Sequence, residues 1–546
     1  MSFIDDIFGR LETELGVLRE NGDGAPLTIR GRGLLRQVEQ ARAYLRSKGL
    51  KKGDRCALLA HNGIDWVAAD LAIMAEGLIV VPLYARQAPG ELANMMKDCS
   101  PALLICGDSS LRDAIVHEWP QAPSSTLFSE LFAGSDKSSE KPLPSEQDTV
   151  AIIYTSGTSG EAKGVMLTAA NIGHMLGCTS GRLDLLMSGH AGQERVFHYL
   201  PLCFAGSWML LLTSLMRQSL VTLNTDLTKL SGEMREAAPD YFLNVPALLE
   251  RMRKAVDEQL WKAGGFPLTV YSRAKAATVK LQEGKATFPD RIWLAIAKAA
   301  IFPTVRKKMI GANLKALICG SAPLNVETQL YFMMLGIPVL QGYGLTETTA
   351  LCTLDDPRDV EPGRVGPAIA DVEMKLGENE EIIVRGPNIF PGYWNRPAET
   401  EKALRDGWFH TGDQGEADAK GNWKIAGRIK NLIILGSGHN IAPEPIEEKI
   451  LQQLPGAQQV VLAGTGRGYL SALVTGDVTT EKVQAALNEV NPGLPHYKQV
   501  RAFQILHEAF SIDNGLLTAN GKLKRDLIAR KYASEIEDLY RVKQAV

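Results

Sequence analysis

Apolar residues along this chain fall into two textures. Over residues 34–49 (LLRQVEQARAYLRSKG) they recur at helical spacing and stop at Gly49, which predicts a helix ended by a glycine. Short, nearly all-apolar runs follow: CALLA (56–60), LIVVPLY (78–84), ALLIC (102–106) and VAIIYT (150–155), most of them separated by helix-periodic segments. Strands that are apolar on both faces and alternate with helices predict a buried, mostly parallel sheet. Residues 118–148, rich in Ser, Pro, Lys and Glu, read as a surface connection. The alternation resumes with VFHYLPL (196–202), LVTLN (220–224), LKALICG (314–320) and PVLQGYG (338–344). From about 381 the runs shorten to EIIVRG, WFHTGD, WKIAG and LIILGSG, broken by Gly, Asp and Asn, which predicts a β-rich subdomain with hairpins. The last stretch, with VVLAG, YLSALVTGD, two helical segments and QVRAFQIL, suits a small α+β domain beginning near Lys430. No internal repeat is visible.

Composition narrows the class. With 546 residues, 45% apolar and 22% charged, the chain can bury several cores, and disordered or fibrous architectures are excluded. A net charge of −3 gives no reason to expect nucleic acid as a partner. Seven scattered cysteines without a CxxC argue against a disulfide framework or zinc site and fit a reducing, cytoplasmic setting. The N-terminal MSFIDDIFGR carries acids where a signal peptide needs basic residues, and no apolar run approaches the length of a membrane span.

The first chemistry-bearing segment is the loop after VAIIYT. SGTSGEAKG (156–164) puts three glycines and the hydroxyls of Thr155, Ser156, Thr158 and Ser159 between two apolar strands, with Lys163 at the exit. Glycines such as Gly157 and Gly160 let backbone N–H groups turn inward, and hydroxyls and a lysine add donors, which is what a polyphosphate requires. Neither GxxxxGK[ST] nor GxGxxG occurs, so this is neither a Walker A loop nor a Rossmann fingerprint. An ordinary solvated turn is the plain alternative.

YTSGTSGEAKGVMLT resembles the phosphate-binding signature of the adenylate-forming superfamily, which comprises acyl-CoA synthetases, peptide-synthetase adenylation domains and luciferases. Further motifs follow in the expected order over roughly residues 30–530. The resemblance implies an α/β fold: a large N-terminal domain, 1–429, of stacked mostly parallel sheets with helices and a β-rich subdomain at about 360–429. A small mobile α+β domain, 430–546, would carry a catalytic lysine.

The remaining motifs take their roles from that likeness. In QGYGLTET (341–348), Gln341, Gly342, Tyr343 and Gly344 would line the nucleotide, with the Tyr343 ring able to stack on a purine. Thr346 would offer a hydroxyl to phosphate, and Glu347 a hard oxygen to Mg²⁺. CGSAPL (319–324) resembles the segment beside the adenine, making Gly320, Ser321 and Ala322 candidate lining. Asp413, closing WFHTGD, fits a ribose ligand because a carboxylate accepts from both hydroxyls. GRIKN (427–431) supplies Arg428 as a second ribose contact and Lys430 as the interdomain hinge, with Asn431 where relatives often carry an acid. LLTANGKLKRDLI (516–528) maps the catalytic lysine to Lys522, a cation able to balance charge as a carboxylate meets the α-phosphate.

The implied reaction has two steps. A carboxylic acid and ATP with Mg²⁺ yield acyl-AMP and pyrophosphate, and a thiol then displaces AMP after the C-terminal domain rotates. GSGHNIAPEPIEE (436–448) resembles the side of that domain facing the thiol tunnel, with Gly438 and His439 as candidates for contact with CoA, and it looks most like long-chain fatty acyl-CoA synthetases. YLPLCFAGSWMLLLTSL (199–215) matches the acyl-pocket segment, with Phe204 between carboxylate and nucleotide and Trp208 as an aromatic gate. For Trp208 and the leucines, plain core is the alternative. No basic residue in 199–215 pairs a second acid group, which favours an apolar, medium- to long-chain fatty acid.

Residues 254–315 hold 12 Lys/Arg against 4 Asp/Glu, interleaved with aromatics. Such a face could rest on anionic membrane, making the protein peripheral at its inner surface, or could simply be solvated. Three other activities stay open: an acyl-AMP ligase serving an acyl carrier protein, an aryl or small-acid ligase, and a non-catalytic nucleotide-binding protein. The first often carries an insertion after the hinge, and 431–450 shows no large one.

Overall fold

The computed structural model describes residues 2–21, 26–134, 144–156, 162–282, 284–518 and 521–541. Two sheets dominate the first 354 residues. The six-stranded sheet runs Ser125–Leu127, Leu103–Cys106, Arg55–Ala60, Ile79–Tyr84, Thr149–Ser156 and Ala162–Thr168 in spatial order. All neighbours are parallel except the last pair, which is antiparallel. The eight-stranded sheet has a parallel centre and an antiparallel strand at each end, Thr353–Leu354 and Leu27–Arg30.

Two helices join the halves. Ile64–Ala75 (IDWVAADLAIMA) is apolar nearly all round and almost wholly buried, as a helix covered on every side must be. It touches strands of both sheets. Ala205–Met216 (AGSWMLLLTSLM) is buried as deeply. Both contribute to one hydrophobic cluster that reaches from Phe3 to Trp423.

Charge is also buried at this seam. Arg42, on helix Gly31–Ser47, has no exposed surface; its Nε donates to Glu76 Oε1 at 2.6 Å and its guanidinium to Glu39 at 2.7 Å. Arg46 adds bonds to the same Glu76 carboxylate at 2.7 and 2.8 Å.

The β-rich subdomain is a five-stranded antiparallel sheet built from Glu373–Leu376, Glu381–Arg385, Leu404–Arg405, Trp408–Ala417 and Trp423–Arg428. A 3₁₀ turn, Ile429–Asn431, follows it. Beyond the turn lie a two-stranded hairpin and a three-stranded sheet, Ala457–Ala463, Leu470–Gly476 and Val500–Leu506, over their own cluster starting at Ile433.

Most apolar runs became strands where expected, with one difference within 118–148. Ser125–Leu127 is an edge strand of the six-stranded sheet, and Phe128–Leu131 is a helical turn whose Phe128 and Leu131 are buried. A three-residue strand is too short to show alternation, and its neighbours hide it. The segment VFHYLPL forms a strand only over Arg195–His198.

Replacing Glu76 with Ala removes the main buried counter-charge of Arg42. Because Glu39 stays, the loss should sit near the lower end for a broken buried pair, about 3 kcal/mol. Urea unfolding of Glu76→Ala checks it, and a change within experimental scatter would contradict this account of the seam.

Candidate active site

The chemistry-bearing segments meet where the two large sheets, the β-rich subdomain and the C-terminal domain come together. Strand Ala162–Thr168 leaves the glycine- and hydroxyl-rich loop and pairs on its outer edge with residues 392–394. Met166 N–H donates to the Gly392 carbonyl at 3.2 Å, and Trp394 N–H to the Gly164 carbonyl at 2.8 Å. Gly164 leaves little room for a side chain: a Cβ there would sit 2.7 Å from Ile152 Cγ2 of the paired strand and 3.3 Å from Trp394 Cβ. Thr155 and Lys163 face each other in register at the mouth of the loop. Gly157, Thr158, Ser159 and Gly160 lie outside the described residues, as does the Ser156 side chain.

Tyr393, which sequence reading passed over, is the connector. Its hydroxyl donates to Glu347 Oε1 at 2.8 Å, and Lys163 Nζ lies 5.1 Å from its ring centroid. Burial and the Glu347 carboxylate push its phenol well above the ordinary value, so it stays protonated and keeps donating. The only sequence sign of it was a Gly-Tyr-Trp run between prolines (PGYWNRP), which reads as a turn.

Glu347 and Thr346 occupy a half-buried 3₁₀ turn, Thr346–Thr348, after strand Val339–Tyr343. Gly344 at its entry is forced: a Cβ would come within 2.1 Å of the Ala350 carbonyl oxygen. Tyr343 turns its hydroxyl to Asp413 Oδ2 at 2.7 Å, and Arg428 Nε meets Asp413 Oδ1 at 2.7 Å. Asp413 and Arg428 are cross-strand neighbours. Burial raises the Asp413 carboxyl, opposed by Arg428 and Tyr343. Gly320 comes against the Gly342 carbonyl, and Ser321, with φ 71°, and Ala322 form the exposed rim beside it. A left-handed non-glycine residue at a rim is stored strain of the kind found at binding sites.

The C-terminal domain delivers Lys522 to this group. A tight turn holds it: Gly521 N–H donates to the Thr518 carbonyl at 2.8 Å, Thr518 N–H to the Lys522 carbonyl at 2.8 Å, and Lys522 N–H to Thr518 Oγ1 at 3.1 Å. The side chain is open to solvent but stands in a protein-walled cleft. Desolvation and then Arg428 lower its ammonium, while Asp413 and Glu347 pull it back up. Next to it, Lys524 bridges to Glu91 of the N-terminal half at 3.6 Å, and Arg525 is tied to the buried Glu447 at 2.7 Å. Lys430 is held down to about 8 by desolvation and Arg428, with Asp413 and Asp526 opposing and Lys163 adding to the depression. Asn431 donates to Glu444 at 2.6 Å, a contact that an acid at 431 would turn into repulsion.

Five candidates fall outside this group. Gln341 is buried, its amide donating to Gln329 and the Arg364 carbonyl at 3.0 Å each, so its side chain supports the strand and does not face the nucleotide side. Trp208 is core: fully buried, with indole N–H on Asp70 Oδ2 at 2.9 Å. A tryptophan on an all-apolar helix packs inward wherever a buried acceptor satisfies its N–H. Gly438 and His439 lie in an exposed hairpin turn, where His439 stacks on Tyr497 at 4.2 Å. Phe204, at the start of helix Ala205–Met216, is half-buried with its ring 5.6 Å from Tyr84.

Comparison with known proteins decides the lineage. The profile described as AMP-binding enzyme matches residues 27–394, and that of the AMP-binding enzyme C-terminal domain matches residues 430–544. The chain belongs to the AMP-binding enzyme family. It is similar to the long-chain-fatty-acid–CoA ligase FadD15 of Mycobacterium bovis, 27% identical over 552 residues, covering 92% of this chain and 91% of that one. It also resembles the long-chain-fatty-acid–CoA ligase ACSBG2 of Gallus gallus, 27% identical over 88% of this chain and 73% of that one. In fold it matches the o-succinylbenzoate CoA synthetase of Bacillus subtilis in complex with an acyl-adenylate, at TM-score 0.76 and 20% identity over 97% of this chain and 98% of that one.

Members of this family use ATP with Mg²⁺, and the residues here suit that ion. Among the described residues no group of three or more His, Cys, Asp or Glu could hold a metal alone. Mg²⁺ asks a protein for one or two carboxylates and takes its other ligands from phosphate and water, which Glu347 beside the loop can meet.

Two outcomes follow. Tyr393→Phe should weaken Mg²⁺-ATP binding about tenfold, because Glu347 loses the donor that orients it; calorimetric titration would show it. Asp70, raised by burial to about 7, binds its proton in the folded state, so stability falls as pH rises from its ordinary 3.8 through about 7. Asp70→Asn abolishes that fall. Relative to the parent protein, the variant should gain on the order of 2–3 kcal/mol more at about pH 8 than at about pH 5 in urea unfolding. A pH-independent difference would refute the assignment.

Proposed function

We propose that this chain is an AMP-forming acid–thiol ligase that activates a medium- to long-chain fatty acid and transfers it to CoA. The observation that carries the reading is the convergence of Lys522, from the C-terminal domain, with Arg428, Asp413 and Glu347 beside the phosphate loop. The names of the relatives supply the substrate class.

In the first step a fatty carboxylate oxygen attacks the α-phosphorus of ATP. The bond from that phosphorus to the bridging oxygen breaks, and pyrophosphate leaves with the electron pair. No protein nucleophile is needed; the chain positions the reactants and balances charge. The loop after Thr155 would cradle the β- and γ-phosphates, with Lys163 at its exit. Asp413 and Arg428 would hold the ribose, and Tyr343 would lie against the base. Lys522 would stand where the carboxylate and α-phosphate meet, and its ammonium would stabilise the charge that builds there. Mg²⁺ held by Glu347 would neutralise phosphate charge, and Tyr393 fixes the carboxylate that holds it.

In the second step the thiolate of CoA attacks the acyl carbonyl, the mixed anhydride breaks, and AMP leaves. Lys430 is the proposed hinge, with domains 1–429 and 430–546 on either side. Rotation about it would withdraw Lys522 and turn Gly438 and His439 toward the thiol path. A carrier-protein thiol is the rival acceptor, and Phe204 is the proposed wall between the acyl pocket and the nucleotide.

Release of AMP and pyrophosphate from ATP, assayed over a panel of carboxylic acids with and without CoA, tests the reading. Palmitate-dependent pyrophosphate exchange is expected. Lys522→Ala should slow it roughly 10²–10³-fold while leaving thioester formation from preformed acyl-AMP largely intact. Absence of exchange with every acid tried would defeat the proposal and favour a nucleotide-binding protein.

A further inference from the structure

Helix Pro89–Cys99 (PGELANMMKDC) ends on an acid that its own backbone disfavours. Asp98 stands in the last turn, where the helix dipole presents its negative end and a cation is the favourable neighbour. Leu92, Met96 and Cys99 share a hydrophobic cluster with Leu59, Val81 and Ile152 of the six-stranded sheet, which seats the helix but gives no reason for the carboxylate. The partners of Asp98 come from two distant segments.

Tyr154 donates its hydroxyl to Asp98 Oδ2 at 2.6 Å. It immediately precedes Thr155 on the strand that enters the phosphate loop, and it pairs with Gly164 on the strand that leaves it. Its ring lies close over that glycine: a Cβ on Gly164 would come 3.2 Å from Tyr154 Cζ. Burial, followed by Cys99 and Asp98, pushes the Tyr154 phenol above its ordinary value, so it keeps its proton and remains a donor. From the other side Arg396, three residues past Tyr393, meets Asp98 Oδ1 at 3.2 Å, and Asn395 Nδ2 donates to the Asp98 backbone carbonyl at 3.2 Å. One carboxylate, only 16% exposed, therefore joins the stem of the loop to the segment that carries Tyr393.

A largely buried carboxylate at the negative end of a helix costs stability unless it is bonded, and both groups bonded to this one border the candidate nucleotide site. We infer, resting on the ligase reading with ATP in the loop, that Asp98 is a positioning residue for that site: through Tyr154 it sets the stem of the phosphate loop, and through Arg396 it sets the segment of Tyr393. Because the two oxygens belong to one side chain, a shift of either segment is felt by the other. Tyr393 in turn orients Glu347, so the spacing between the loop stem and that carboxylate is referred to Asp98.

Calorimetric titration with Mg²⁺-ATP and palmitate-dependent pyrophosphate exchange, both on the full chain, test it. Asp98→Ala should weaken Mg²⁺-ATP binding at least about tenfold, and Tyr154→Phe, which loses only one bond, about fivefold. Asp98→Asn keeps an acceptor for the Tyr154 hydroxyl but loses the charge facing Arg396, and should fall between the parent and Asp98→Ala. In the exchange assay the KM for ATP should rise by the same factors, with the KM for palmitate unchanged and kcat at saturating ATP within about twofold of the parent. A merely structural role gives another pattern: fewer active molecules, and so a lower kcat at an unaltered KM. Arg396→Gln should cost about fivefold alone but no more than about twofold in a Tyr393→Phe background, because both act on Glu347. Where Asp98→Ala does not fold, Tyr154→Phe carries the test. Parent-like ATP affinity in Asp98→Ala or Tyr154→Phe, a fall in kcat at constant KM, or additive losses for Arg396→Gln and Tyr393→Phe overturns the inference. A parent protein that binds no Mg²⁺-ATP overturns the ligase reading itself, and the role of Asp98 with it.

Discussion

The site depends on one junction: the edge of the six-stranded sheet, at Gly164 and Met166, hydrogen-bonded to Gly392 and Trp394 of a distant segment. Those two backbone bonds tie strand Ala162–Thr168 to residues 392–394 and bring Tyr393 beside Lys163. Through Tyr393, the lysine at the loop exit and the carboxylate at 347 become neighbours, although 184 residues of sequence separate them.

The seam beneath has the opposite character. Helices Ile64–Ala75 and Ala205–Met216 are apolar because both are almost wholly buried, yet each contributes a polar group to the other, Asp70 and Trp208. That bond leaves Asp70 Oδ1 without a partner, so the acid prefers its proton. The arrangement fixes which face of each helix meets the other, while costing stability near neutral pH.

The C-terminal domain has its own hydrophobic cluster, yet it reaches the site by charge. Lys524 bridges to Glu91, Lys522 stands in the field of Asp413 and Glu347, and Arg525 is anchored behind them on Glu447. Contacts of this kind hold a geometry and release it at little cost, because solvent replaces them readily. This interface contrasts with the apolar seam between the two sheets, which solvent cannot replace in the same way.

Much of this was legible in the residue order. Nearly continuous apolar runs such as CALLA and ALLIC announce parallel strands locally, and the loop at 155–164 announces a donor-rich turn by composition, while the turn at 342–347, Asp413 and Lys522 take their expected roles from the family resemblance. What residue order could not show depends on distance through space. Gln341 and Trp208 sit in motifs that suggest contact with substrate, but their side chains are claimed by Gln329 and Asp70 from elsewhere in the fold. Tyr393 looks like a turn residue until a strand from the other half of the domain arrives beside it. Ser125–Leu127 is a strand only because Leu103–Cys106 offers it an edge. Local sequence determined which segments could be strands, helices and donor-rich loops, because periodicity and backbone freedom are local properties. Tertiary structure decided which polar side chains were consumed by partners and which were left facing the cleft, because a hydrogen bond is settled by whatever group the fold brings within about 3 Å.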